Sequence, residues 1–240
     1  MTAWEDDGII ISSRPHGERS AVVMLFTREH GRHAGVLRSA TSQQNRALLQ
    51  SGTRVRATWK ARLSDHLGEW RLEAVDHTYS AFLDQPQKLL VLEMLSQYAL
   101  AFLPERHAYP NYYEGLLLFL DQLKGEGWHP HYVTLELKLL KELGFALTLQ
   151  ECAVTREKAG LAYVSPKTGC AVTEEVGLPY KDKLLKLPDF LVEDVLPSPS
   201  DIQMGLDLTG YFLKKNFGDT HFNKVFALRK RLIESLWVMN

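Results

Sequence analysis

Cysteine is scarce in this chain of 240 residues: only Cys152 and Cys170 are present, too few for a disulfide framework. No apolar run is long enough to cross a bilayer. The acidic start, Thr2-Ala3-Trp4-Glu5-Asp6-Asp7, has no hydrophobic leader, so the expected location is the cytoplasm. A phosphate-binding P-loop, a Gly-x-Gly-x-x-Gly turn and a His-Glu-x-x-His helix are all missing, which leaves ATP, dinucleotide and zinc-protease chemistry without support. No Ser, His and Asp set stands at motif spacing. Low-complexity segments are absent too, and the composition is that of an ordinary globular protein.

What is present is an uneven distribution of charge. The formal net charge is only -1. Between Ile10 and Arg62, however, ten Lys and Arg face two acids, Glu18 and Glu29, a net of +8. Residues 80–240 are slightly acidic. Nine of those ten cations are arginine, whose planar fork grips phosphate in two-point geometry and stacks on bases. A local arginine field inside a near-neutral protein points to an anionic partner.

The same region reads as five short strands. Gly8 to Arg14, Ala21 to Phe26, Arg32 to Arg38, Arg54 to Leu63 and Trp70 to Val75 are β-branched, apolar or alternating, with turns at Pro15-His16-Gly17-Glu18, Arg28-Glu29-His30-Gly31 and Leu67-Gly68-Glu69. The fourth is the clearest. Arg54, Arg56, Thr58, Lys60 and Arg62 fall on one face, and Val55, Ala57, Trp59, Ala61 and Leu63 on the other. The longest connection, Ser39 to Gly52, carries a short helical piece around Arg46-Ala47-Leu48-Leu49. Five strands with the long connection between the third and fourth match an oligonucleotide-binding (OB) barrel, a fold that binds nucleic acid with a cationic groove and aromatic platforms. By alternation Phe26, Trp59 and Trp70 belong to the core rather than to a stacking surface. His16, His30 and His33 sit at turns or strand starts, near a phosphate path or simply solvated.

The remainder reads as helices: 87–103, Asn111 to Leu123, His131 to Leu143 closed by Gly144, one starting at Ser198-Pro199-Ser200-Asp201, and a last one starting at Thr220. Arg229-Lys230-Arg231 on the last is expected to be a solvated face. The stretch 152–173 repeats one tetrapeptide, Cys152-Ala153-Val154-Thr155 and Cys170-Ala171-Val172-Thr173. A zinc ribbon would carry Cys at both ends of each pair. Threonine is a poor zinc ligand, so the reading is a degenerate site of Cys152, Thr155, Cys170 and Thr173 with no metal and no other cofactor.

Gly8-Ile9-Ile10-Ile11, His16-Gly17-Glu18-Arg19-Ser20-Ala21-Val22-Val23, Leu25-Phe26-Thr27-Arg28-Glu29-His30-Gly31-Arg32, Leu48-Leu49-Gln50-Ser51-Gly52 and Leu143-Gly144-Phe145 occur in an order and spacing that resembles the RecO family of bacterial recombinational DNA-repair proteins. The resemblance runs over essentially the whole chain. It implies an α+β protein: an N-terminal five-stranded OB-fold barrel over 1–80, then an all-α domain over 81–240 with a zinc-ribbon-like insertion at about 150–180. It implies a non-enzymatic, nucleoid-associated activity: binding single- and double-stranded DNA, annealing complementary strands, and helping RecA load onto DNA covered by single-strand-binding protein. The implied partners are RecR, RecF, RecA and the acidic tail of single-strand-binding protein. The chain departs from the family pattern at the two cysteine positions taken by threonine, and at the uncharged segment Ser39 to Asn45.

The DNA contacts are accordingly assigned to Arg14, Arg19, Arg28, Arg32, Arg38, Arg46, Arg54, Arg56, Lys60 and Arg62, of which about half can face one groove. Two rival readings remain: a protein-binding OB scaffold with little DNA affinity, and a small hydrolase or metal-dependent enzyme using His129, His131 or the cysteines.

Overall fold

The structure, a computed structural model, describes residues 2–76, 78–218 and 222–237. Its first strand shows why Ile9, Ile10 and Ile11 can be a continuous apolar run. Strand β1 (Thr2–His16) alternates faces through these three residues, and carries a bulge between Ile10 and Ser12. Ile10 turns into the barrel core. Ile9 and Ile11 meet Leu92, Leu95 and Leu116 on the outside. All three isoleucines are almost fully buried, so one strand is buried from both sides.

β1 also closes the barrel. Its first half, Thr2 to Ile9, pairs antiparallel with β4 (Arg54–Ala61), and its second half, Gly8 to His16, with β2 (Ser20–Thr27). β2 pairs with β3 (Gly31–Leu37), β3 runs parallel to β5 (Gly68–Ala74), and β5 returns to β4. The closed order β1-β2-β3-β5-β4 is that of the OB barrel. β1 begins earlier than the apolar pattern suggests, because polar Glu5, Asp6 and Asp7 pair across from Thr58, Ala57 and Arg56.

The barrel is small, yet Trp59 and Trp70 lie inside it, 1 % and 5 % exposed. Two inward glycines make the room. Gly35 and Gly68 are register partners on β3 and β5. A Cβ on Gly35 would stand 2.7 Å from Trp70 Nε1, and one on Gly68 2.3 Å from Trp59 Cε2. The indole nitrogens are satisfied by backbone: Trp59 Nε1 donates to Ala34 O and Trp70 Nε1 to Val23 O, each at 3.1 Å. One end of the barrel is plugged by Leu48 of α1 (Gln43–Leu48) and by Ala40. The other end is filled by Trp4, His33 and the two inner tryptophans, at ring separations of 4.7–6.1 Å.

His33 is 5 % exposed, and neither ring nitrogen has a hydrogen-bond partner. Burial first, then the electrostatic influence of Arg106 and of the neighbouring His30, push its pKa down to about 4. The imidazole therefore sits neutral in an aromatic box.

By its contacts the chain divides into two compact units, residues 1–120 with 223–240, and residues 121–222. In the first, α2 (Pro86–Phe102) packs against β1 and against α7 (Asn223–Leu236). Phe26 meets Tyr112 and Tyr113 at the start of α3 (Pro110–Gln122). The expected solvated cluster on α7 is split. Arg229 shares a helical stripe with Val225 and Leu232 and is buried at 7 % exposure, whereas Lys230 and Arg231 are exposed. Thr220, expected to start this helix, lies outside the described residues.

In the second unit, α4 (His129–Glu142) packs on α6 (Pro199–Phe217). Gly205 allows the close approach, since a Cβ there would stand 2.9 Å from Val133. Thr209 Oγ1 donates to the buried Glu136 carboxylate at 2.5 Å. α6 begins at the Ser198–Asp201 capping box. Between these helices lies a three-stranded sheet ordered β7-β6-β8, from β6 (Leu161–Val164), β7 (Ala171–Thr173) and β8 (Leu185–Lys186), with the short α5 (Glu174–Gly177) after β7.

Gly68→Ala would drive a methyl into Trp59 and is expected to cost about 1–3 kcal/mol by denaturant titration. The depressed pKa of His33 means that the unfolded chain binds its proton more tightly. Its contribution to stability is complete above about pH 6.5 and is lost as the pH falls towards 4. His33→Leu is expected to flatten the stability loss over that window, as read from chemical midpoints at pH 7, 5.5 and 4.

Candidate nucleic-acid interface

The ten cations picked out in the sequence do not form one field, because half are matched by acids of the same fold. Arg28 bonds Glu114 at 2.5 Å. Arg32 is only 17 % exposed, donates to Leu100 O at 2.9 Å and faces Glu105. Arg38 is paired with Glu69. Arg54 lies 3.5 Å from Asp76, and Arg56 3.7 Å from Asp7. The basic face of β4 is therefore interleaved with β1 and β5. Arg56 sits between Asp7 and Glu73, Thr58 between Glu5 and Arg71, and Lys60 between Ala3 and Glu69. At such exposed sites each pair is weak, but the local potential falls.

The other five, Arg14, Arg19, Arg46, Lys60 and Arg62, are exposed and have no side-chain ion pair or hydrogen bond among the described residues. They fall into two groups. Arg14 and Arg19 flank the β1–β2 turn, whose Arg19 carbonyl accepts from the Ala40 N–H at 2.7 Å, just before α1 and Arg46. Lys60 and Arg62 rim an open cleft of about 530 Å³ on the β4–β5 hairpin, together with His66, Arg71 and Glu69. Glu69, which lines this cleft, is the residue that holds Arg38. That bond pulls the Glu69 carboxyl below its usual pKa.

Arg71, His66 and Arg106 were not singled out in the sequence. Arg71 alternates with the buried Trp70 and Leu72, so its outward direction was readable. Arg106 was not readable, since it comes from the loop after α2. Its N–H donates to Arg32 O at 2.8 Å, its guanidinium reaches Asp65 O at 3.1 Å, and its φ is +61°.

Of the three histidines near a possible phosphate path, His16 is exposed and His33 is buried. His30 is held in place. Asp6 Oδ2 accepts from the Glu29 N–H at 2.8 Å, the His30 N–H at 3.2 Å and His30 Nδ1 at 2.9 Å. The His30 ring stacks on Trp4 with centroids 3.8 Å apart and planes within 4°.

The threonine-substituted ribbon does not fit zinc. Cys152 is fully buried, and its Sγ accepts the N–H groups of Thr155 and Thr173 at 3.5 Å each. Burial raises its pKa, hydrogen bonding to Thr155 and Thr173 lowers it by more, and the net value is about 6. The hydroxyl of Thr155 is committed to Glu157 at 2.9 Å, and Cys170 Sγ to Thr168 O. Two thiols and two hydroxyls, with two of the four engaged elsewhere, are not the thiolate and imidazole set that zinc requires. Among the described residues no group of three or more His, Cys, Asp and Glu is placed to hold a metal ion. His129 stacks on Trp128 at 4.1 Å, and burial lowers its pKa; His131 is exposed.

Two family models match the chain: Recombination protein O N terminal over residues 1–77, and Recombination protein O C terminal over residues 83–224. Among curated relatives, DNA repair protein RecO of Rhodospirillum centenum is 41 % identical over 233 residues, covering 96 % of this chain and 93 % of the relative. That of Rhodospirillum rubrum is 40 % identical over 244 residues, covering 98 % and 97 %. That of Bartonella bacilliformis is 41 % identical over 234 residues, covering 96 % and 95 %. Together with the closed five-stranded barrel and the helices that follow it, these matches establish that the chain belongs to the RecO family.

Proposed function

We propose that the protein is a DNA-repair factor whose OB barrel binds DNA through its phosphates. One observation carries this reading: five cations with no ion pair among the described residues, Arg14, Arg19, Arg46, Lys60 and Arg62, project from the region matched by the Recombination protein O N terminal family model. Around the hairpin cleft Lys60 and Arg62 are joined by Arg71 and Arg38, which the polyanion competes for against Glu73 and Glu69. The finer proposal follows the resemblance to the RecO family. The protein binds single and double strands, anneals complements, and helps RecA load onto DNA covered by single-strand-binding protein, with RecR, RecF and the acidic tail of that protein as partners. It works without covalent chemistry and without zinc. No helix among the described residues is long and apolar enough to cross a membrane.

If about five phosphates are engaged, affinity for an oligonucleotide falls roughly 10²–10³-fold between 50 and 200 mM salt. Lys60→Ala with Arg62→Ala is expected to reduce the slope of log K against log salt by about two. Arg56→Ala, whose side chain is already matched by Asp7, changes it less. A flat salt response in the wild-type protein would move the reading to the protein-binding scaffold. The ribbon supplies a separate check: an excess of chelator is expected to leave the melting temperature unchanged, and metal analysis of the purified protein to return no stoichiometric zinc.

A further inference from the structure

We infer that the barrel mouth carries a stacking subsite for an unpaired nucleobase, formed by the outer face of His30 and flanked by Arg106. The inference rests on the DNA-binding reading above and assigns to the same barrel a second, uncharged mode of contact.

The argument begins with the geometry of one ring. His30 has one face covered by Trp4 and one edge bonded to the Asp6 carboxylate. Its side chain is nevertheless 34 % exposed, so the exposure belongs to the opposite face and the far edge. The ring cannot swing. Asp6, itself only 4 % exposed, fixes both the backbone and the ring of the β2–β3 turn with three hydrogen bonds. Trp4 in turn stacks against Trp59 in the core at 5.6 Å. The outermost ring of a π stack that runs down into the barrel is thus presented rigid and open. A base laid on it would lose little protein entropy on binding.

The neighbourhood suits the rest of a nucleotide. Arg106 reaches over to the β4–β5 loop through Asp65 O. Its charge is close enough to act on His33 beneath the mouth. Its backbone is held at φ +61° by a hydrogen bond to Arg32. Non-glycine residues rarely adopt that conformation, and here it keeps the guanidinium at the mouth. Gly31 permits this arrangement, because any Cβ there would collide with His107 O at 1.9 Å. The two acids nearest the His30 ring are already engaged. Asp6 is buried and satisfied by its three donors, and Glu29 faces Arg28 at 3.8 Å.

Bases in a duplex are already stacked and cannot offer a free face, so the subsite selects single strands. The phosphate contacts do not discriminate in this way.

The test compares a fluorescein-labelled dT 20-mer with a 20-base-pair duplex, using the full chain. His30→Ala is expected to weaken binding to the single strand about tenfold, leave the duplex unchanged, and leave the salt slope unchanged. His30→Phe, which keeps a stacking face and drops the Asp6 bond, is expected to retain wild-type affinity. Should either variant fold poorly by its melting curve, photocrosslinking of the wild-type protein to a 5-iododeoxyuridine oligonucleotide is expected to label His30 or Trp4. Equal single-strand affinity for wild type and His30→Ala, equal losses on both DNA forms, or crosslinks only elsewhere would overturn the subsite while leaving phosphate binding intact. No binding to either DNA by the wild-type protein would overturn both.

Discussion

The barrel depends on one strand being shared between two partners. β1 gives its first half to β4 and its second half to β2, and only this double pairing closes the sheet. Its parts are under different constraints. The middle of the strand, Ile9 to Ile11, must be apolar on both sides, because the core lies beneath it and α2 above. Ile9 and Ile11 facing out and Ile10 facing in, the ordinary alternation of a strand, meet that demand with three consecutive isoleucines. The first half must be long enough to run beside β4, and it brings Glu5, Asp6 and Asp7 alongside that strand. Closure therefore decides the electrostatics as well as the topology. The strand that seals the barrel also neutralises part of the basic face next to it.

This explains what the sequence disclosed and what it hid. Alternation along Arg54 to Leu63 revealed β4 and its two faces, because a half-buried strand leaves a period of two in the residues. The helices were legible for similar reasons: a cap at Ser198, an apolar stripe, and a glycine at 144. The acidic arm was not legible as strand. Its residues have low strand preference, and it pairs only because the barrel requires a closing edge. Likewise no local pattern shows that Arg38 meets Glu69, 31 residues away, or that Arg28 meets Glu114. Candidate phosphate contacts could be named from composition, but sorting them into matched and unmatched required the register. Arg229 shows the converse. Its neighbours Lys230 and Arg231 suggested a solvated cluster, while the spacing to Val225 and Leu232 already placed it on the buried stripe.

The tryptophans set a second constraint. A five-stranded barrel has a narrow interior, and two indoles fit only because Gly35 and Gly68 face each other across the single parallel pair. With the His33 ring against them, the two indoles fill the interior at the mouth. Trp4 is accordingly pushed to the rim, half-buried, with His30 stacked on its outer side. The rigid aromatic surface at the mouth is a consequence of filling the core with large rings, and His33 is left neutral and unbonded beneath it for the same reason.

The ribbon of the second unit is held by a different means, a buried sulfur. A metal-binding turn holds its thiolate partly by backbone N–H groups that point at sulfur. Here Cys152 keeps two such donors, from Thr155 and Thr173, although the side chains at those positions are hydroxyls. Two N–H groups satisfied by one buried sulfur hold the turn shut, and the β6–β7 pairing with the packing of Tyr163 on Gly177 supplies the rest. The knuckle's shape thus rests on hydrogen bonds and packing that threonine does not disturb. Threonine at 155 and 173 offers no thiolate to zinc, while two backbone N–H groups still point at the Cys152 sulfur.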